Sequence, residues 1–317
     1  LEMDALLGDW TLNGASIAVG VVNVTTGTAL AVLAHTGNLI DGVTVNGDLD
    51  MIVNSSQLVV TNGLELNGTL TLDVFARIFF AGTQSLSGNG TVMFGPNGSH
   101  HHKALLVRDA GTTLTLEPGI TVTGRSGLVG GFSGWPLYST EDVFVINHGT
   151  ILPDEPGGTV EVRGRRITNH GTMRAENGGT LQVHNLEDAA GLRATDGAAL
   201  WLGGSWANHG VLSASNATVT LDGVWTNAGV VAVSNTALHL DGEVCTADLG
   251  TLAGPGNTVH VQAQLDNTSD VLEMDALLGD WTLNGASIAV GVVNVTTGTA
   301  LAVLAHTGNL IDGVTVN

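Results

Sequence analysis

The sequence predicts an all-β chain folded as a parallel β-helix solenoid of about 20 residues per coil. Three observations lead there. Glycine recurs at near-constant steps, with 45 glycines in 317 residues against only 6 prolines. Short segments of alternating apolar residues lie between those steps. And residues 1–46, Leu1 to Asn46, return letter for letter as residues 272–317.

The inner period is read from Gly149, Gly171, Gly191, Gly210, Gly229 and Gly250, which follow one another at 22, 20, 19, 19 and 21 residues. Four of them close turns: Asn147-His148-Gly149, Asn169-His170-Gly171, Asn208-His209-Gly210 and Asn227-Ala228-Gly229. Asn267 continues the series. Both Asn and Gly tolerate φ > 0, so these pairs are expected to set the same backbone corner in every coil.

Between the corners lie Thr159-Val160-Glu161-Val162, Thr180-Leu181-Gln182-Val183, Thr218-Val219-Thr220-Leu221 and Ala237-Leu238-His239-Leu240. Their period-2 alternation reads as strands with one face inside. In the first half, Val43 to Met51 and Leu64 to Leu72 repeat one phrase displaced by 21 residues, and Asn89-Gly90-Thr91-Val92 follows 22 later. Equivalent positions of successive coils would stack about 4.8 Å apart in parallel ladders. Right-handed coiling is the usual expectation for parallel crossovers. The period is too short for a four-stranded propeller blade and lacks the leucine-rich pattern. A β-sandwich array, the runner-up, would not keep a constant coil period.

The outer period is 271 residues. Identity over 46 positions points to a recent duplication or to one period of a nearly identical tandem array; an artificial cap that reuses the first segment is the alternative. The expected organisation is therefore one full unit, 1–271, and the start of the next, 272–317. About 13 coils would make a unit about 60 Å long at the ladder spacing.

Composition excludes several functions. With 29 acidic and 9 basic residues the formal charge is -20, so nucleic acid, whose affinity rests on Lys and Arg, is not an expected partner. All nine basic residues lie between Arg77 and Arg193, leaving strongly acidic flanks. No run of about 20 apolar residues predicts a membrane span. The chain opens without a charged leader, which is read as a mature or excised segment with its export signal elsewhere. Cys245 is the single cysteine, read as a buried free thiol.

Gly8-Asp9-Trp10-Thr11-Leu12-Asn13-Gly14, Leu39 to Leu49, Phe80-Ala81-Gly82-Thr83-Gln84 and Gly223-Val224-Trp225-Thr226-Asn227-Ala228-Gly229 resemble phrases in the large repeat units of very long bacterial exoproteins. The resemblance spans essentially the whole unit. It implies a β-helical, filamentous-haemagglutinin-like or adhesin-like module, extracellular or at the cell surface, with no assigned catalytic residues. Neighbouring repeat units, and a cell-surface glycan or protein, would be its partners.

No catalytic set emerges. The Asn-Thr-Asp, Asp-Asp, Gly-His-Gly and Arg-Ile-Lys phrases of β-helical glycosidases are missing, as are a Gly-x-Ser-x-Gly elbow, a phosphate loop and His-Glu-x-x-His. The tripeptide His100-His101-His102 lies in an enlarged gap of 29 residues between Gly90 and Gly119. In an extended segment its neighbours would point to opposite sides, so it reads as a solvated loop and no metal ligand is assigned. No cofactor is expected. Calcium is left open by Asp48, Asp50, Asp266, Asp270 and Asp275, oxygen donors that stacking would bring near one another.

A loop insertion at about 125–146, from Arg125 to Val145, breaks the coil spacing. It carries Phe132, Trp135 and Tyr138, the candidate binding residues, which would either contact a ligand or fold back over a coil. Glu141 and Asp142 are the acids nearest to it, for an alternative carbohydrate-binding or carbohydrate-cleaving role. Trp10, Trp201, Trp206, Trp225 and Trp281 fall on predicted strands, where a stacked ladder is the ordinary role.

Overall fold

A computed structural model of the chain describes residues 1–3, 8–135 and 139–317. It is all-β, 56% strand, with parallel strands stacked as a β-solenoid whose turns lie about 21 residues apart. The chain divides into two compact units, Leu1–Arg174 and Ala175–Asn317.

Within the first unit, three parallel ladders run side by side, one for each side of a coil. Gln84–Ser87, Thr113–Leu116, Phe144–Asn147 and Arg166–Asn169 form one. Leu49–Met51, Thr69–Leu72, Thr91–Phe94, Thr121–Gly124 and Thr150–Leu152 form the second. Arg77–Phe80, Ala104–Val107, Ser126–Gly130 and Thr159–Arg163 form the third. The register is the one that the repeated phrases require: Val43 faces Leu64, Leu49 faces Leu70, and Thr69 faces Thr91. The early strands Ser16–Val24, Leu39–Asn46 and Gln57–Leu66 are longer because each bends at a positive-φ position, Val19-Gly20, Gly42 and Asn62-Gly63, and so serves two sides of its coil.

The second unit repeats the plan. Ala199–Gly203, Thr218–Leu221, Ala237–Leu240, Asn257–Val261 and Gly279–Leu283 stack as one ladder. Arg193–Thr195, Val211–Ser215, Val230–Ser234 and Thr251–Ala253 form another, and Ser205–Asn208, Val224–Asn227, Glu243–Cys245, Gln264–Asp266 and Ser287–Val295 a third. Alternation places Leu200, Leu202, Val219, Leu221, Leu238, Leu240, Val259 and Val261 inside, all fully buried. Leu200, Val219, Leu238 and Val259 form one aliphatic column that continues into Trp281, and Leu202, Leu221, Leu240, Val261 and Leu283 form another; their burial provides the main stabilisation.

The Asn-x-Gly corners lie at the strand ends, but they do not use the left-handed backbone. None of Asn147, Asn169, Asn208 and Asn227, or Gly149, Gly171, Gly210 and Gly229, has a positive φ. The asparagines instead turn inward. Asn147 and Asn208 are fully buried, and their Nδ2 groups donate to Asn169 Oδ1 and Asn227 Oδ1, both at 2.8 Å. Each also donates to a backbone carbonyl in its own turn, Gly149 O and Gly210 O, at 3.3 Å. An amide ladder is the economical way to satisfy carbonyls at a buried corner, since an unpaired one costs about 1–3 kcal/mol. The glycines answer to a different constraint: a Cβ on Gly171 would run into Gly149 O, and one on Gly229 into Gly210 O. Left-handed corners do exist, at Asp196, Asn216 and Asn235, with φ of 58°, 48° and 48°. They follow the strands Arg193–Thr195, Val211–Ser215 and Val230–Ser234.

Three further expectations are corrected or located. Cys245 is exposed, because it alternates with the inward Val244 on Glu243–Cys245 and so faces out. The insertion is shorter than 125–146: Ser126–Gly130 is a fully buried rung of the third ladder and Phe144–Asn147 a rung of the first, so the excursion proper begins at Gly131 and returns at Asp142. Among the tryptophans, Trp206 and Trp225 stack on successive coils and Trp281 is buried, while Trp10 and Trp201 are half-buried on Trp10–Leu12 and Ala199–Gly203.

Candidate functional site

The two irregular features of the sequence converge on one side of the first unit. His100–His102 forms a short 3-10 turn immediately before Ala104–Val107. Ala104 faces Leu128 of the next coil, and Leu128 faces Glu161 of the one after. Both faces of Ala104–Val107 and Ser126–Gly130 are buried, the outer one because the excursion from Gly131 folds back across it. Phe132 packs there against Ala104, Leu106 and Leu128 together with Phe79.

Backbone and side chains pin the excursion. Gly131 N donates to Arg163 O at 2.9 Å, Ser139 Oγ to Val107 O at 2.8 Å, and Gly111 N to Asp142 O at 2.6 Å. Ser133 Oγ donates to Glu141 Oε1 at 2.8 Å, and the other Glu141 oxygen meets Arg163 Nη2 at 3.2 Å. Asp142 pairs with Arg165 at 3.0 Å. Both acids of the carbohydrate-cleaving alternative are thus engaged by arginine. Desolvation pushes the Glu141 carboxyl up, but the hydrogen bonds from Ser133 and Arg163 outweigh it and hold it below its ordinary value.

Beneath the excursion lies Glu161, only 2% exposed although it occupies an outward position between the core residues Val160 and Val162. Removing a carboxylate from water is costly unless charged or hydrogen-bonding partners surround it. Its oxygens are divided between them. Oε1 faces Arg163 Nη1 at 3.4 Å, while Oε2 faces His101 Nε2 at 2.8 Å and His100 Nε2 at 3.5 Å. Phe132 stacks on the His101 ring, centroids 4.1 Å apart, and the Arg163 guanidinium lies 5.3 Å from the Phe132 centroid.

The tripeptide is therefore not a solvated loop with rings on opposite sides. The 3-10 turn places His100 and His101 together, ring centroids 4.1 Å apart, and His102 stacks separately on Phe75 at 4.1 Å. Burial lowers the His100 pKa, reinforced by His101 and opposed by Glu161. That of His102 is lowered by burial, then by Lys103, His101 and Arg77. Lys103 is fully buried, donating to Gly95 O at 2.5 Å and Asn97 O at 2.7 Å, and burial lowers its pKa as well.

Of the candidate binding residues, Phe132 is part of the cover over the coils and Trp135 is 67% exposed, edge-on to His102 at 6.4 Å. Tyr138 lies outside the described residues. Among the described residues, no three of Asp48, Asp50, Asp266, Asp270 and Asp275 gather their oxygens within 4.8 Å of one another, whereas the donor atoms of His100, His101 and Glu161 do. Sequence reasoning missed Glu161 and Arg163, which read as an ordinary strand. A signal was present, since the enlarged gap and the insertion adjoin strands of neighbouring coils, Ala104–Val107 and Ser126–Gly130.

Neither protein-family models nor curated protein sequences match the chain at a significant level. No helix among the described residues is long and apolar enough to cross a membrane.

Proposed function

We propose that the chain is a structural, rod-forming and adhesive module of a secreted or cell-surface repeat protein, and that it performs no catalysis. One observation carries the rod-forming part. The duplicated ends form the same strands in the same register: Ser16 faces Leu39 and Val22 faces Val45, as Ser287 faces Leu310 and Val293 faces Val316. The second copy of the segment thus folds onto its own coil as the first does, in side chain and in register, which is the arrangement that units stacked in series require.

Adhesion is assigned to the excursion, whose exposed Trp135 offers an aromatic face of the type that glycans and proteins use. The cleaving alternative draws no support from a pair of acids already engaged by Arg163 and Arg165. Electron microscopy of chains carrying one, two and three periods tests the rod: length should grow by about 60 Å per period. Failure to lengthen would refute it. A glycan and cell-surface binding panel, run with the chain and with Trp135→Ala, tests adhesion; product release from any glycan would overturn the non-catalytic reading.

A further inference from the structure

We infer that His100, His101 and Glu161 form a binding site for a divalent transition-metal cation of the zinc type, held by two imidazole nitrogens and one carboxylate oxygen with one position open to solvent. The inference rests on this cluster alone and is independent of the rod or adhesive role.

The donor set is assembled by the fold, since Glu161 is 60 residues from His101 in sequence. At zinc bond lengths of about 2.0–2.2 Å, neighbouring ligand atoms in a tetrahedral site stand about 3.3 Å apart. The observed Nε2 to Oε2 separations, 2.8 and 3.5 Å, straddle that value. Small rotations of the two imidazoles, each 28–29% exposed on a surface turn, would equalise them without moving the buried carboxylate.

Two imidazole nitrogens converge on one carboxylate oxygen, His101 Nε2 at 2.8 Å and His100 Nε2 at 3.5 Å. A cation between them would use all three lone pairs at once. The remaining Glu161 oxygen stays with Arg163, the kind of outer partner that fixes a ligating carboxylate. Phe132 stacked on His101 holds that ring and shields one flank, which leaves the solvent side of His100 as the way in. Two nitrogen donors select against calcium and magnesium, which take oxygen ligands.

Isothermal titration of the full chain with Zn2+ tests the site, with Co2+ absorption as a second readout, because four- or five-coordinate cobalt absorbs visible light far more strongly than the hydrated ion. One Zn2+ per chain is expected, without competition from millimolar Ca2+. Loss of an outer partner alone typically weakens metal affinity about 10–100-fold, so His100→Ala, His101→Ala and Glu161→Gln should each weaken it at least as much. His148→Ala removes one member of another stacked imidazole pair, His148–His170 at 5.1 Å, and should leave binding unchanged. Melting temperature and circular dichroism are read on each variant first. Should Glu161→Gln fail to fold, His100→Ala decides, since it removes a partly exposed ring whose contact with Glu161 is the longer one, 3.5 Å. Absence of saturable binding overturns the proposal, as does binding that survives His100→Ala and Glu161→Gln or falls equally with His148→Ala.

Discussion

The indole of Trp206 lies flat on that of Trp225, ring centroids 5.1 Å apart and planes only 7° from parallel. The two residues face each other on Ser205–Asn208 and Val224–Asn227, so one coil repeats the other's aromatic position. Trp206 Nε1 also donates to Asp222 O at 2.9 Å. Trp206→Ala should therefore cost about 3–5 kcal/mol in urea unfolding, through the cavity and the lost stack. Trp206→Phe, which keeps an aromatic ring and loses the hydrogen bond, should cost about 1 kcal/mol.

The amide ladder yields a second expectation. Asn208→Ala strips donors from Asn227 Oδ1, Gly210 O and Val230 O at a buried corner. A loss of about 2–4 kcal/mol is expected on thermal or urea unfolding. Gly229→Ala at the same corner should also destabilise, although its φ is not left-handed, because the new methyl meets the Gly210 carbonyl. A neutral outcome for Gly229→Ala would show that the coils can part there.

Cys245 should react with a maleimide reagent in the folded chain, without denaturant, since it is exposed. The reaction should be slow at neutral pH and accelerate in alkali. Desolvation in the groove it shares with Trp225 and Asp266 raises the thiol pKa, and Asp248, Asp266 and Asp270 raise it further, so the reactive thiolate is scarce. Labelling that requires urea would contradict the outward placement.

Stability should fall on mild acidification through His260, whose ring stacks on that of His239 with centroids 4.6 Å apart. Burial, then the neighbouring His239, lowers the His260 pKa below its ordinary value of 6.5. As pH falls through 6.5, the unfolded chain takes up a proton before the folded one does. The contribution is thus intact above that pH, declines below it, and is fully lost beneath the folded-state pKa. Urea midpoints measured across this window should slope less steeply in His260→Gln than in the parent chain.

Arg163 ties the excursion down by pairing with Glu141, reaching Glu161 and lying over Phe132. Arg163→Met should expose Gly131–Asp142 to limited proteolysis while the remaining coils stay resistant. It should also lower the melting temperature, because Glu161 keeps its burial and loses a cationic partner, a type of loss worth about 3–5 kcal/mol when the pair is fully buried and less here, where Arg163 is partly exposed.

Fold and register were legible because a solenoid writes its contacts as periodicity. A residue 19 to 22 positions away is a spatial neighbour, so Thr218 facing Ala237 and Leu49 facing Leu70 follow from spacing alone. The meaning of the corners was not legible. Asn tolerates a left-handed φ and also makes buried amide ladders, and the letters do not say which. Asn147 and Asn208 took the ladder; Asn216 and Asn235 took the left-handed turn.

The site was half legible. Phe132 and Trp135 stood out as aromatics in a broken period, and His100 to His102 as a run in an enlarged gap. What they form depends on a 3-10 turn that gathers two imidazoles against a buried, outward-facing glutamate, and on a chain excursion that brings Phe132 over His101.

The sequence by itself determined the all-β solenoid, the coil length, the strand register and the duplication of residues 1–46, because these are properties of spacing. Only the tertiary structure decided which outward residues are covered, that Cys245 is exposed, and that His101 meets Glu161 across 60 residues. Those outcomes depend on where an irregular segment folds back over a regular surface, and a break in the period marks the segment's place without giving its path.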